Sequence, residues 1–349
     1  MSNMKVISFF NNKGGVGKTT LTANMAGFFA KKLGCKVLVI DCDPQCNVTQ
    51  LILGDIKVIG LYWVEEKEIH SSFNYRNILD IVQPIIDGDA EVEKNVEPIP
   101  KIENRYQVDI IAGHPQLSSM EDPLSRAWGE IPAGKIGGFR VSNWLRSYIH
   151  SVSGKYDYAF VDLGPSLGSI NRSVLLASDY FVTPLGADIF SIMGLRNIAK
   201  WMSDWTAYYK VGLEQSERLN KGALERFDIP KNVNIDHGYI GYTLQQYITK
   251  SKKGQRRPTD AFEKILRNVP AEVDRSLLPF FGKNVSSNNV HLGDVPNLYS
   301  LIPMAQKANS PIFDLRSGDG LVGSQFKQTA DYGALIESLA NHMLKNIGE

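Results

Sequence analysis

Cysteine is scarce: Cys35, Cys42 and Cys46 are the three in 349 residues, all early in the chain. A small, odd number argues against a disulfide framework and suits a reducing compartment. Neither sign of charge dominates, with 38 basic and 37 acidic residues and a net charge of +1. No global field then draws the chain to nucleic acid or membrane, so such binding must come from a local patch. No apolar run approaches the ~18 residues of a membrane-spanning helix. The N-terminus has no basic segment followed by an apolar one of the secretory type. Internal repeats and low-complexity tracts are missing as well. The expectation is a cytoplasmic, soluble protein. Its 43% hydrophobic content is ample for a buried core, read here as a single domain over residues 1–349.

What is present is strand–helix alternation. Met4–Phe10 (MKVISFF) reads as a buried strand. A glycine-rich turn at 14–17 leads into a helix over Lys18–Leu33, with Leu21, Met25, Phe28 and Phe29 at helical spacing and Gly34 as its stop. Lys36–Asp41 (KVLVID) is a second strand, apolar on both faces. Strand, helix and strand within so short a span imply a parallel pair joined by a crossover. Further strands are expected at Gln107–Ile111, Tyr156–Asp162, Tyr180–Leu185, Tyr239–Leu244 and Leu298–Ile302. Helices are expected at Phe139–His150, Ile170–Ala177, Met193–Tyr208, Thr259–Arg267 and Ala330–Lys345. The pattern predicts a doubly wound α/β fold, a mostly parallel sheet of about seven or eight strands with helices on both faces. Two stretches read as surface elaborations of helical character, acid-rich 62–105 and charged, aromatic 204–236.

The chemistry concentrates where strands end. NNKGGVGKTT (11–20) resembles a phosphate-binding loop, but Asn12 stands where the usual spelling has its first glycine, and two lysines are present, Lys13 and Lys18. Gly14, Gly15 and Gly17 let backbone N–H groups approach a polyphosphate, with Val16 between them, and the helix N-terminus adds its dipole. Lys18 can reach the β and γ oxygens, Thr19 can ligate Mg²⁺, and Thr20 follows in the first helical turn. The second strand ends in DCDPQ, which puts Asp41 and Asp43 beside that loop in the crevice at the strand C-termini. One can order the magnesium shell; the other can orient an attacking water. The strand YDYAFVD ends at Asp162, an acid placed to position Mg²⁺, and Gly164-Pro165 form a stiff loop able to sense a γ-phosphate.

NKGGVGKTT, VIDCDPQCN and YDYAFVDLGPSLG resemble the deviant Walker A, Walker A′ and Walker B motifs of the ParA/MinD family of ATPases. VDIIAGHPQLSSME, TPLGADIFSIMGLRNI and NSPIFDL, followed by a terminal helix, resemble later segments of the same family. The resemblance implies ATP and Mg²⁺ as ligands, catalytic roles for Lys13, Lys18 and Asp43, and a metal site of Thr19, Asp41 and Asp162. It assigns Lys13 to the phosphates of a partner subunit across an ATP-dependent sandwich homodimer. It places Pro303 and Met304, and Gln245 and Gln246, near the adenine. The family usually reads Asp-x-Pro-Pro where this chain has Asp162-Leu163-Gly164-Pro165. No helix-turn-helix pattern precedes the first strand, so operator-binding autoregulation is not expected.

The function implied is a partner-stimulated ATPase switch for plasmid or chromosome partition, binding DNA non-specifically as the ATP dimer and meeting a centromere-binding or cargo adaptor protein. TKSKKGQRRP places Lys250, Lys252, Lys253, Arg256 and Arg257 together, a candidate phosphate-backbone patch. Two alternatives remain open at this point. One is a MinD-like or cargo-positioning organiser acting on a protein or other surface; the other is a metabolic P-loop enzyme. A membrane partner is not expected, because the C-terminal stripe of Leu335, Ile336, Leu339, Met343 and Leu344 lacks a basic polar face. Cys42 and Cys46 read as small-residue packing rather than cluster ligands.

Overall fold

The computed structural model describes residues 4–63, 74–247, 249–252, 255–258 and 260–349, the side chains of 246–266 excepted. Its strands are β1 (Lys5–Phe9), β2 (Val37–Asp41), β3 (Asp109–Ile111), β4 (Tyr158–Asp162), β5 (Tyr180–Gly186), β6 (Tyr239–Tyr247), β7 (Thr249–Lys252), β8 (Gln255–Pro258) and β9 (His291–Pro296). Seven of them form one sheet in the order β3-β2-β4-β1-β5-β6-β9. Every pairing within it is parallel. β7 and β8 make a separate antiparallel ribbon. The sheet is the expected doubly wound one.

The helices are α1 (Lys18–Lys31), α2 (Asn47–Leu53), α3 (Asp55–Tyr62), α4 (Ile78–Ile86), α5 (Glu121–Glu130), α6 (Ile136–Ser142), α7 (Trp144–Val152), α8 (Ser169–Ala177), α9 (Ile189–Leu219), α10 (Ala223–Arg226), α11 (Asp260–Leu277), α12 (Leu301–Ala308) and α13 (Gln325–Ile347). Side chains alternate across each strand, so the sheet feeds two cores. Val6, Ala159 and Val161 face the core covered by α4–α9. Ile7, Phe9 and Phe160 face the core covered by α1, α2 and α13. Being buried on both sides is why β1, β2 and β4 read as unbroken apolar runs. Each fully buried aliphatic or aromatic side chain contributes about 1.5–3 kcal/mol.

Three differences from the sequence reading have physical causes. Leu298–Ile302 is not a strand. Tyr299 has φ 43°, and helix α12 starts at Leu301. The seventh strand is β9, whose glycine, aspartate and proline hid it; it lies at the sheet edge, where pairing on one side suffices. The expected helix Phe139–His150 is divided into α6 and α7 at Asn143, whose Nδ2 donates to the Phe139 carbonyl at 2.8 Å.

The two elaborations are more deeply packed than their composition suggests. α9 runs for 31 residues into the second one, and Trp205, Tyr209 and Leu213 are buried against the sheet-side core. In the first, α4 opens with a capping box from Asn77 and Asp80 and buries Ile78, Ile81, Val82 and Ile85. Residues 64–73 of that stretch lie outside the described residues. The C-terminal helix α13 is a packed one: Ile336, Leu339, Ala340 and Met343 are buried, and Asn346 Nδ2 donates to the Ile240 and Asn289 carbonyls. No helix among the described residues is long and apolar enough to cross a membrane.

Candidate nucleotide site

The turn between β1 and α1 depends on Gly15 and Gly17, with φ of 73° and 75°. A Cβ in that left-handed conformation costs roughly 1–2 kcal/mol. Gly17 caps α1 with no side-chain acceptor, which leaves first-turn N–H groups free to meet an anion. Asn11 pins the loop to β5: its Nδ2 donates to the Pro184 carbonyl at 2.7 Å, and its Oδ1 accepts the Lys13 N–H at 3.0 Å. Lys18 folds back over the loop, and its Nζ donates to the Lys13 carbonyl at 3.0 Å. Burial lowers the Lys18 pKa, opposed by the charges of Asp162 and Asp43.

The acids come from neighbouring strand ends. Asp41 and Asp162 face each other in the β2–β4 register, and both are fully buried. Burial drives both carboxyls up from the ordinary carboxylate range. The charge of Asp41 adds to the rise at Asp162, while bonds from Thr49 restrain Asp41. Asp41 is saturated. Its Oδ2 accepts the Thr49 N–H at 2.9 Å and the Thr49 hydroxyl at 2.6 Å, and its Oδ1 accepts the Asp43 N–H at 3.1 Å. Asp162 is not saturated. Its Oδ1 lies 3.4 Å from the Thr22 hydroxyl, and its Oδ2 is buried with no hydrogen-bond partner among the described residues.

An orphaned carboxylate oxygen at the rear of a phosphate-binding turn, with the Thr19 hydroxyl acting on the same group, fits a hard cation. Among the described residues no three Asp, Glu, His or Cys side chains form a ready-made cage. Mg²⁺ keeps waters and phosphate oxygens in its shell, so a threonine hydroxyl and one carboxylate can serve as its protein ligands. Asp41 was expected in the metal site; the three bonds it accepts also brace the loop that carries Asp43.

Asp43 lies at the cleft wall. Its Oδ1 accepts the Gln45 N–H at 3.0 Å. The loop after β4 closes against it: a Cβ on Gly164 would stand 3.1 Å from Asp43 Oδ1. Asn171 holds that loop, its Nδ2 donating to the carbonyls of Gly164 at 2.7 Å and Ser166 at 2.8 Å.

These groups border a cleft of about 760 Å³. Gly14, Gly15, Val16, Gly17, Lys18, Thr19 and Thr20 all line it, with Asp43, Pro165 and Asn47. Its far wall is α12, but through Ile302, Gln306 and Lys307 rather than the expected Pro303 and Met304. Because 301–308 is a helix and not the end of a strand, residues 303 and 304 turn away from the cleft. Gln245 lines a small apolar recess next to Ile302 and Tyr332, its Nε2 donating to the Thr243 hydroxyl at 2.9 Å. The side chain of Gln246 lies outside the described residues.

Lys13 is next to the cleft but does not line it. Its Nζ is 2.5 Å from Asp188 Oδ2, both half-buried. Asp188 caps α9: its Oδ1 accepts the N–H groups of Phe190 and Ser191 at 3.0 and 3.1 Å, and its Oδ2 the Ser191 hydroxyl at 2.8 Å. Burial works to raise the Asp188 carboxyl, but Lys13 and Ser191 together hold it below the usual range. Sequence reasoning missed Asp188 and Thr49. For Asp188 the signal was there, an Asp directly before a helical run.

The basic segment falls on the β7–β8 ribbon. Lys250 pairs in register with Arg257, and Arg256 with Ser251. Lys253 lies outside the described residues, and so do the side chains of Lys250, Lys252, Arg256 and Arg257. Cys42 is fully buried in the core. Burial pushes the Cys46 thiol up to about 12, as suits a packing role.

Residues 4–214 match a family profile described as an AAA domain. The chain is 32% identical to protein DIP2308 of Corynebacterium diphtheriae, with a TM-score of 0.71 over 88% of this chain and 97% of that one. It is 26% identical over 281 residues to the chromosome partitioning protein ParA of Myxococcus xanthus, 80% of each chain. An ATP complex of McdA from Cyanothece shares the fold at a TM-score of 0.59 and 15% identity, over 98% of this chain and 97% of that one. The chain belongs to this AAA-domain family, as a P-loop ATPase of the ParA/MinD type.

Proposed function

We propose that this chain is an ATP-dependent dimerising switch that serves DNA partition. The reading is carried by one observation: Lys13 is surplus to the chain's own phosphate loop. Lys18 already lies over that loop, while Lys13 is turned outside the cleft and held by Asp188. A second lysine beside the turn but outside the cleft is free to neutralise phosphate charge in a partner subunit, as an arginine finger does.

In this mechanism the backbone N–H groups of Gly15 to Thr20 and the ammonium of Lys18 hold the β- and γ-phosphates of ATP. Thr19 and Asp162 would hold Mg²⁺, which would supply neutralisation of the charge building on the phosphate oxygens. Asp43 orients the attacking water, and Gly164 in the loop beside it relays the state of the γ-phosphate. Asp41 keeps Asp43 in place through its backbone N–H. Ile302 and Gln306, with Gln245 in the neighbouring recess, border the space left for the base. ATP closes the homodimer, and Lys13 leaves Asp188 for the partner's nucleotide. The dimer engages DNA through the basic segment that carries Lys250, Lys252, Lys253, Arg256 and Arg257. A centromere-binding or cargo adaptor protein stimulates the otherwise slow hydrolysis and releases it. The similarity to the chromosome partitioning protein of Myxococcus supports the same reading.

Fluorescence anisotropy on duplex DNA of unrelated sequences tests it. Binding should require ATP, ignore sequence, and weaken steeply with salt. Replacing the five basic residues with Gln should flatten the salt slope; equal binding without nucleotide would overturn the proposal.

A further inference from the structure

A second cavity, of about 400 Å³, opens between the segment after α4, helices α6 and α7, and the turn after α10. It shares no lining residue with the nucleotide cleft. Four cationic side chains line it, Lys94, Arg140, Arg146 and Arg226, against two carboxylates, Glu91 and Asp228. The carboxylates are already engaged, Glu91 by Arg140 at 2.5 Å and Asp228 by His150 at 2.5 Å. Lys94, Arg146 and Arg226 have no ion-pair partner among the described residues. Phe227 organises two of the guanidiniums, with Arg140 4.7 Å and Arg226 5.0 Å from its ring centroid.

The wall carries a second, independent feature. Asn143 is 5% exposed, and its Nδ2 is committed to the Phe139 carbonyl and the Tyr209 hydroxyl. Its Oδ1 is buried and has no partner among the described residues, and neither does Arg146 Nε. An acceptor and a donor thus stand unsatisfied where three cations lack counter-ions. Native proteins leave few such groups without a reason.

We propose that this cavity binds a small organic phosphate. Guanidinium groups match phosphate oxygens in a fixed fork, and Lys94 adds a point charge. The volume suits a compact metabolite. A duplex fits less well, because a cavity of about 400 Å³ admits a single compact phosphate rather than a continuous phosphate backbone. A ligand here would give the switch an input separate from ATP.

The test is calorimetric titration of the full-length protein, saturated with Mg²⁺ and ADP to fill the nucleotide cleft, with ribose 5-phosphate and with inorganic phosphate. Ribose 5-phosphate should bind at one site, more tightly than inorganic phosphate. The exposed pair Lys94→Met and Arg226→Met should weaken it about tenfold or more while circular dichroism stays unchanged. Arg146→Met should do the same. The proposal is overturned if neither probe binds, or if binding is unchanged in the Lys94/Arg226 double variant. It is equally overturned if that variant loses affinity for DNA and keeps it for ribose 5-phosphate.

Discussion

Lys13 Nζ lies 2.5 Å from Asp188 Oδ2, so the lysine that distinguishes this phosphate loop is tied within its own chain to the cap of α9. The pair is half-exposed, and such pairs are worth about 0.2–1 kcal/mol. Asp188→Asn keeps an N-cap acceptor and removes the charge. It should free Lys13 and shift ATP-dependent dimerisation to roughly two- to fivefold lower protein concentration. Sedimentation velocity over a concentration series reads this. An unchanged midpoint would mean that the pair does not compete with the dimer.

Asp162 is held above the ordinary carboxylate range by burial and by Asp41. The folded protein therefore binds more protons than the unfolded chain above about pH 4, and this group's contribution to stability falls as pH rises. In nucleotide- and metal-free protein, Asp162→Asn should stabilise by on the order of 1–3 kcal/mol at pH 7.5 and far less near pH 5. Thermal melts at the two pH values check it. The same variant should lose the extra melting shift that Mg²⁺ adds to nucleotide.

Thr49 donates to Asp41 through both its N–H and its hydroxyl, and its hydroxyl also accepts the Gly113 N–H at 2.8 Å. Thr49→Val keeps the shape, leaves the buried Gly113 N–H unpaired and removes one of the two bonds that Asp41 Oδ2 accepts. The expected loss is about 2–4 kcal/mol, read by urea denaturation. Hydrolysis should fall as well, since Asp41 then holds the Asp43 loop less firmly.

At Gly164, a methyl group would press on the Asp43 carboxylate from 3.1 Å. Gly164→Ala should slow ATP hydrolysis several-fold while leaving nucleotide affinity within about twofold, since the proposed mechanism has Asp43 acting on water rather than on binding. Single-turnover hydrolysis and equilibrium nucleotide titration separate the two.

Much of this molecule is legible in its sequence because its signals are local. β1, β2, β4 and β5 are apolar runs ended by the residues that form the site, and 14–20 declare a phosphate loop by glycine and lysine spacing. Partnerships are harder to read. That Asp41 belongs to Thr49, and Lys13 to Asp188, depends on which loops the sheet order brings together. β9 was hidden because an edge strand tolerates glycine and proline. α12 was misread because an apolar run of five residues carries no period long enough to separate helix from strand. The cleft is lined there by Ile302 and Gln306, whereas Pro303 and Met304 had been expected beside the adenine.

The central claim is that ATP closes a dimer through Lys13. Light-scattering mass with ATP, ADP and no nucleotide tests it most directly, using an Asp43→Ala background to block hydrolysis. The account predicts a dimer with ATP alone and a monomer in the other two states. Adding Lys13→Ala should return the ATP state to monomer while nucleotide still binds. A protein that stays monomeric with ATP when hydrolysis is blocked, or a Lys13→Ala variant that dimerises as well as its parent, would contradict it.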